Sequence, residues 1–221
     1  VTLSLLRRPL RLLTPIPPDR RTRRFSQLIL GLLLYGFTMG LMVRAVLGLD
    51  PWDVFHQGLT RLLGHWIDIS YGTVITAVSV LVLLAWIPLR QRPGIGTLLN
   101  TLMIGWTTDA TLSIIPPAHN LTIRILLLVA AVLGNALAGA LYIGAGLGSG
   151  PRDGLMTGMV AKGIGSVRIV RTSIELTVLL IGALLGGGIG VGTVIYALAI
   201  GPLLQLLLPR LRLETQIVRS T

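Results

Sequence analysis

The sequence predicts an all-α polytopic membrane protein: six transmembrane helices forming two inverted three-helix repeats, each with a short Pro-initiated helix after its first span. Three observations predict it. Of 221 residues, 52% are hydrophobic and only 12% charged, against about 25% charge in an ordinary soluble domain. Several stretches of about 18 residues or more are nearly free of charge, the length a bilayer core requires. Two short motifs also recur in the same order at a nearly constant offset.

The predicted spans cover residues 25–47, 70–89, 94–115, 121–147, 167–185 and 190–208. At about 1.5 Å per residue, each can cross a hydrocarbon core of about 30 Å. The organisation that follows is an Arg/Pro-rich tail (1–24), a first three-span unit (25–116), a second (121–209) and a closing tail (210–221). In the first tail, Arg7, Arg8, Arg11, Arg20, Arg21, Arg23 and Arg24 alternate with Pro9, Pro15, Pro17 and Pro18. No uninterrupted apolar run for a signal peptide is present there.

The net charge is +11, and Lys162 is the only lysine. The basic residues sit between spans, which is a topological pattern, and no basic–aromatic interleaving suggests nucleic acid. With the N-terminus inside and six crossings, Arg90, Arg92, Arg152, Lys162, Arg168, Arg171, Arg210 and Arg212 all fall on the cytoplasmic side. The opposite side receives Arg61, offset by Asp50, Asp53 and Asp68. The positive-inside rule then puts both termini in the cytoplasm. Arg44 and Arg124 are exceptions near predicted outer ends, where an Arg can snorkel. The lack of cysteine excludes disulfides, thiolate metal sites and cysteine nucleophiles.

The repeat is the most informative feature. Leu47-Gly48-Leu49-Asp50-Pro51-Trp52-Asp53 returns as Leu147-Gly148-Ser149-Gly150-Pro151-Arg152-Asp153, one hundred residues later, and Gly58 returns as Gly158. Gly94-Ile95-Gly96-Thr97 returns as Gly190-Val191-Gly192-Thr193 at an offset of ninety-six, as Gly105 does at Gly201. A unit of three spans is odd, so its second copy must lie upside down. Inverted repeats of this kind recur in secondary transporters, with substrate sites at the repeat interface.

Each unit carries a short helix, over 51–64 and 151–163. Asp50 suits an N-cap, Pro51 the first helical position, Asp53 the first turn and Gly64 the end. About 13 residues reach roughly 20 Å, too little to span. In the second copy the cap is Gly150, and Arg152 replaces Trp52. Two readings stay open. Both segments can lie at the interface as amphipathic helices or lids. Alternatively, they dip inward from opposite faces as half-helices whose free amides receive an anion. Asp50, Asp53 and Asp153 already offer charge to those amides, which favours a cation or a proton.

Charges inside spans are costly and point to function. Glu175 lies halfway along the fifth span, one turn from Arg171, so a structural ion pair and a proton or ligand site compete. Asp109 lies in the outer part of the third span, where it can also be simply solvated or Arg-paired. Asn100 and Asn135 read as interhelical glue. The candidate pathway set is Asp50, Trp52, Asp53, His56, Asp109, Arg152, Asp153, Arg171 and Glu175. His56, His65 and His119 lack metal-ligand spacing, and no HExxH, P-loop or triad is present. The chain is therefore expected to be no enzyme, with no metal or cofactor.

These motifs resemble the YczE/YyaS/YitT family of bacterial integral membrane proteins, most closely its YczE-like branch. The resemblance rests on Gly48–Val54, Gly94–Asn100, Gly144–Met156, Arg168–Glu175 and Gly190–Thr193, and covers about 25–209. It implies the bacterial cytoplasmic membrane and, from a link of some members to secondary-metabolite production or export, makes transport plausible. The expected function is a small secondary transporter or exporter of an unidentified small molecule, with Glu175 or an Asp carrying a coupling proton. The alternative is a non-transporting accessory or scaffold protein of a biosynthetic or export complex. The expected partners are the lipid bilayer and the substrate, with a homodimer or membrane-protein partner as candidates and no nucleic acid.

Overall fold

A computed structural model describes residues 13–213, which form eight α-helices and, among those residues, no strand. They are α1 (Arg21–Ala45), α2 (Pro51–Leu63), α3 (Tyr71–Leu89), α4 (Ile95–Ile114), α5 (Leu121–Gly144), α6 (Pro151–Ala161), α7 (Val167–Leu184) and α8 (Val191–Leu211). Residues 1–12 and 214–221 of the expected tails lie outside this description. Four helices, α1, α3, α5 and α8, are long and apolar enough to cross a membrane. The helices α4 and α7 match them in length but are more polar: α4 carries Asn100, Asp109 and several threonines, and α7 carries Arg168, Arg171 and Glu175. The protein is an α-helical, polytopic membrane protein.

Local signals explain the boundaries. An Asp50 carboxylate oxygen accepts from the amides of Trp52 (2.9 Å) and Asp53 (3.2 Å), and Pro51 opens α2 where no amide is needed. Ser70 and Ser166, ninety-six residues apart, cap α3 and α7. The Gly-x-Gly-Thr motifs start α4 and α8 alike: Thr97 accepts from the Gly94 amide at 3.0 Å and Thr193 from the Gly190 amide at 3.2 Å.

At the centre α1 and α5 pack antiparallel. Arg24, at the start of α1, donates to the Ala145 carbonyl at 2.9 Å, and Arg124, at the start of α5, donates to the Ala45 carbonyl at 2.9 Å. Each guanidinium satisfies carbonyls that the other helix leaves open at its C-terminal end. Arg44 similarly donates to the Leu112 carbonyl near the end of α4. Flanking this pair, α4 packs beside α1 and α8 beside α5, while α2 packs on α7 and α6 on α3.

The repeated sequence motifs dock crosswise on one another. The Gly192 amide donates to the Leu47 carbonyl at 2.7 Å, and the Gly96 amide to the Leu147 carbonyl at 2.9 Å. Gly48 and Gly148 sit at φ 114° and 130°, so no other residue suits them, and a Cβ at either would lie 2.8 Å from Thr193 or Thr97 Oγ1. Bulk is exchanged between matching contacts. Trp86 of α3 fills the space left by Gly154 of α6, and Val54 of α2 crosses Gly182 of α7. One packing does not repeat: α3 and α4 close tightly, whereas α7 and α8 make no comparable contact.

Candidate functional site

The N-terminal ends of α2 and α6 meet at a cavity of about 180 Å³. Gly48 and Gly148 turn the chain out of α1 and α5, and Pro51 and Pro151 start the short helices at the cavity wall. Arg152 Nη1 lies 3.8 Å from Asp50 Oδ1, and its guanidinium stacks over the Trp52 ring, 4.8 Å from the centroid. A cation over an indole face gains from the ring quadrupole as well as from the carboxylate. The two copies of the motif thus touch through Arg152, which meets both Asp50 and Trp52 of the other copy and stands where that copy has Trp52.

Polar side chains complete the wall. The Tyr142 hydroxyl donates to Asp153 Oδ2 at 2.8 Å. The Tyr196 hydroxyl donates to Asn135 Oδ1 at 2.8 Å, and the Asn135 amide donates to Thr38 at 3.1 Å. Tyr35 meets Tyr142 edge to face at 5.9 Å. On α7, Arg171 Nε donates to Glu175 Oε1 at 2.9 Å. The cavity therefore holds three carboxylates (Asp50, Asp153, Glu175) and two guanidinium groups (Arg152, Arg171).

Of the nine pathway candidates, six line this cavity: Asp50, Trp52, Arg152, Asp153, Arg171 and Glu175. Asp53 and His56 do not. They form a fully buried pair behind the wall, Nδ1 to Oδ1 at 3.0 Å, with the Tyr71 hydroxyl donating to the Asp53 carbonyl at 3.2 Å. The second Asp53 oxygen and His56 Nε2 have no hydrogen-bond partner among the described protein groups. Asp109 lies elsewhere. It accepts from the Ser70 hydroxyl at 2.5 Å and the Gly72 amide at 2.7 Å, which fastens α4 to the first turn of α3. Among the described residues no cluster of three His, Cys, Asp or Glu could hold a metal ion.

The three cavity tyrosines escape a reading based on charge. A signal for two of them exists in the repeat: Tyr35 matches Asn135 at the offset of one hundred, and Asn100 matches Tyr196 at ninety-six. All four line the cavity. So do the matched positions Ile75 and Arg171, Ser79 and Glu175, and Ile104 and Ile200.

Comparison with known proteins agrees with a membrane protein. No solved structure matches the chain. A Haemophilus influenzae relative described as an uncharacterized protein is 38% identical over 186 residues, 84% of each chain. A Bacillus subtilis relative, described as the uncharacterized membrane protein YczE, is 34% identical over 192 residues, 85% of this chain and 86% of its own. The profile of DUF6198, a family of unknown function, matches residues 22–209. The chain belongs to this family of YczE-like membrane proteins.

Proposed function

We propose that the protein is a small secondary transporter or exporter, built from two inverted three-span units of the cytoplasmic membrane with both termini inside. The observation that carries this reading is the position of the cavity. It lies where repeat-related residues of both units meet, and it is lined by charged and hydroxyl-bearing side chains. In inverted-repeat transporters, sites lie at the repeat interface beside broken helices, and one unit rocks against the other to change access. The antiparallel α1–α5 pair and the reciprocal docking of the motifs support such an inversion. In this reading α4 and α7 also cross the bilayer. Asn100 on α4 is buried against the cavity, and Arg171 and Glu175 on α7 pair with each other at its edge.

The Asp50–Arg152 contact ties one unit to the other. A substrate carrying charge competes for these groups, so loading and release of the tie are linked. The chemistry needs no covalent step. The test is flux in proteoliposomes over a panel of amines, amino acids, sugars and amphiphiles, with Arg152→Met as control. Flux of any member that falls with Arg152→Met supports the proposal. Absence of flux across the panel, with the protein folded and inserted, refutes it and leaves a non-transporting accessory role.

A further inference from the structure

The cavity is balanced on one flank and skewed on the other. Sixteen of its lining residues form eight repeat-related pairs, and the remaining eight all belong to the second unit. Helix packing gives the reason. In the first unit α3 and α4 close through Gly72 and Gly105, where a Cβ would lie 2.0 and 2.3 Å from the opposing backbone oxygen. In the second unit the matching residues are Arg168 and Gly201, and a Cβ at Gly201 would meet nothing within 4 Å. The cavity consequently reaches the outside between α7 and α8. Arg171 and Glu175 line it while their side chains remain 51% and 38% exposed, and Ala197, also on its wall, is exposed.

The surface around this opening is apolar. Leu176 and Leu180 of α7 and Val194 and Leu198 of α8 are all exposed. An opening between the flanks of two membrane helices faces hydrocarbon, not water. Charged groups at such an edge are costly without a polar companion. Further in, Arg152 neutralises Asp50 and Arg171 pairs with Glu175. Asp153 is the cavity carboxylate with no ion pair among the described residues, held only by the Tyr142 hydroxyl. Three carboxylates against two guanidinium groups leave the wall one formal negative charge in excess.

We infer that the cavity receives a membrane-dissolved amphiphile with a protonated amine head, admitted sideways between α7 and α8. The amine meets Asp153, and the chain runs out past Ile174, Ile200 and Leu204. A cavity of about 180 Å³ holds the head and the first few carbons, and the opening leaves the rest of the chain in the bilayer. This inference rests on the proposed reading in taking α7 and α8 to cross the bilayer and the cavity to be a substrate site; binding does not require flux.

The test is photolabelling of the full chain in lipid nanodiscs with dodecylamine bearing a diazirine at the chain end. The expected result is saturable labelling of α7 and α8 peptides, competed by dodecylamine but not by dodecyl sulfate or dodecanol. Asp153→Asn and Ala197→Trp should each weaken it by about tenfold, one decade for one lost contact or one blocked path. Leu126→Trp, at an exposed position of α5 that does not line the cavity, serves as the control for fold and should leave it unchanged. Labelling spread equally over α3 and α4, equal competition by dodecyl sulfate, or insensitivity to Ala197→Trp would overturn the inference. Specific labelling without flux would defeat the transport reading alone. Flux of a water-soluble amine that ignores Ala197→Trp would defeat lateral access alone.

Discussion

Replacing Arg152 by Met tests the contact that joins the two short helices. The guanidinium lies 3.8 Å from Asp50 and its side chain is 26% exposed, while Asp50 is 7% exposed. Coulomb attraction at that distance is about 4 kcal/mol for an effective dielectric constant near 20, and about half survives solvent screening of the exposed part, roughly 2 kcal/mol. Stacking over Trp52 adds about 1 kcal/mol. Arg152→Met should therefore lose about 3 kcal/mol, a fall in Tm of about 6–12 °C for a chain of this size. Asp50→Asn removes the charge and keeps the helix cap, because the Asn carbonyl accepts from the same amides. In that background Arg152→Met should lose only the stacking part, about 1 kcal/mol. Thermal unfolding in nanodiscs, read over the four variants, gives the coupling directly. An equal cost of Arg152→Met in both backgrounds would refute the assignment of Arg152 as the counter-charge of Asp50.

The repeat-related glycines Gly105 and Gly201 should part company. Gly105→Ala drives a Cβ to 2.3 Å from the Gly72 oxygen and should cost about 1–3 kcal/mol in thermal unfolding. Gly201→Ala meets open space and should gain up to about 1 kcal/mol from helix propensity. Gly154→Ala places a Cβ 1.8 Å from the Trp86 ring and should cost a similar ~1–3 kcal/mol, a loss that shrinks when Trp86→Leu makes room. Asp109→Ala removes two hydrogen bonds at the start of α3 and should cost about 1–3 kcal/mol, while labelling by the amine probe stays at the parental level.

Much of this architecture is visible in the sequence, for identifiable reasons. The short helices could be placed because Asp50-Pro51 and Gly150-Pro151 are local start signals whose chemistry does not depend on the rest of the fold. Long helices follow from apolar runs bounded by Gly and Pro. The charged half of the cavity is equally legible, since Arg152, Arg171 and Glu175 stand out in an apolar chain. Tyr35, Tyr142 and Tyr196 are not, because a tyrosine in a membrane helix can as well face lipid headgroups, and only packing tells which way it points. Asp53 and Asp153 match in sequence yet differ in place: one is sealed behind the wall with His56 and the other lines the cavity. Asp109 looks alike on paper, but its role as a clamp on Ser70 and Gly72 depends on a contact between α3 and α4 that no local pattern encodes. The open flank is hardest to foresee. It arises because Gly72 has Arg168 as its counterpart, and the loss of a close helix contact leaves no motif.

The central claim is that the two units face opposite sides of the membrane around a shared cavity. The chain has no cysteine, so single cysteines report without background. His65, just past the end of α2, and Ile164, just past the end of α6, are both exposed. His65→Cys and Ile164→Cys should be treated separately in intact cells with a membrane-impermeant thiol reagent. The account predicts labelling at 65 alone, with both positions reacting once the cells are opened. Labelling of both in intact cells would put the ends of α2 and α6 on one side and contradict it.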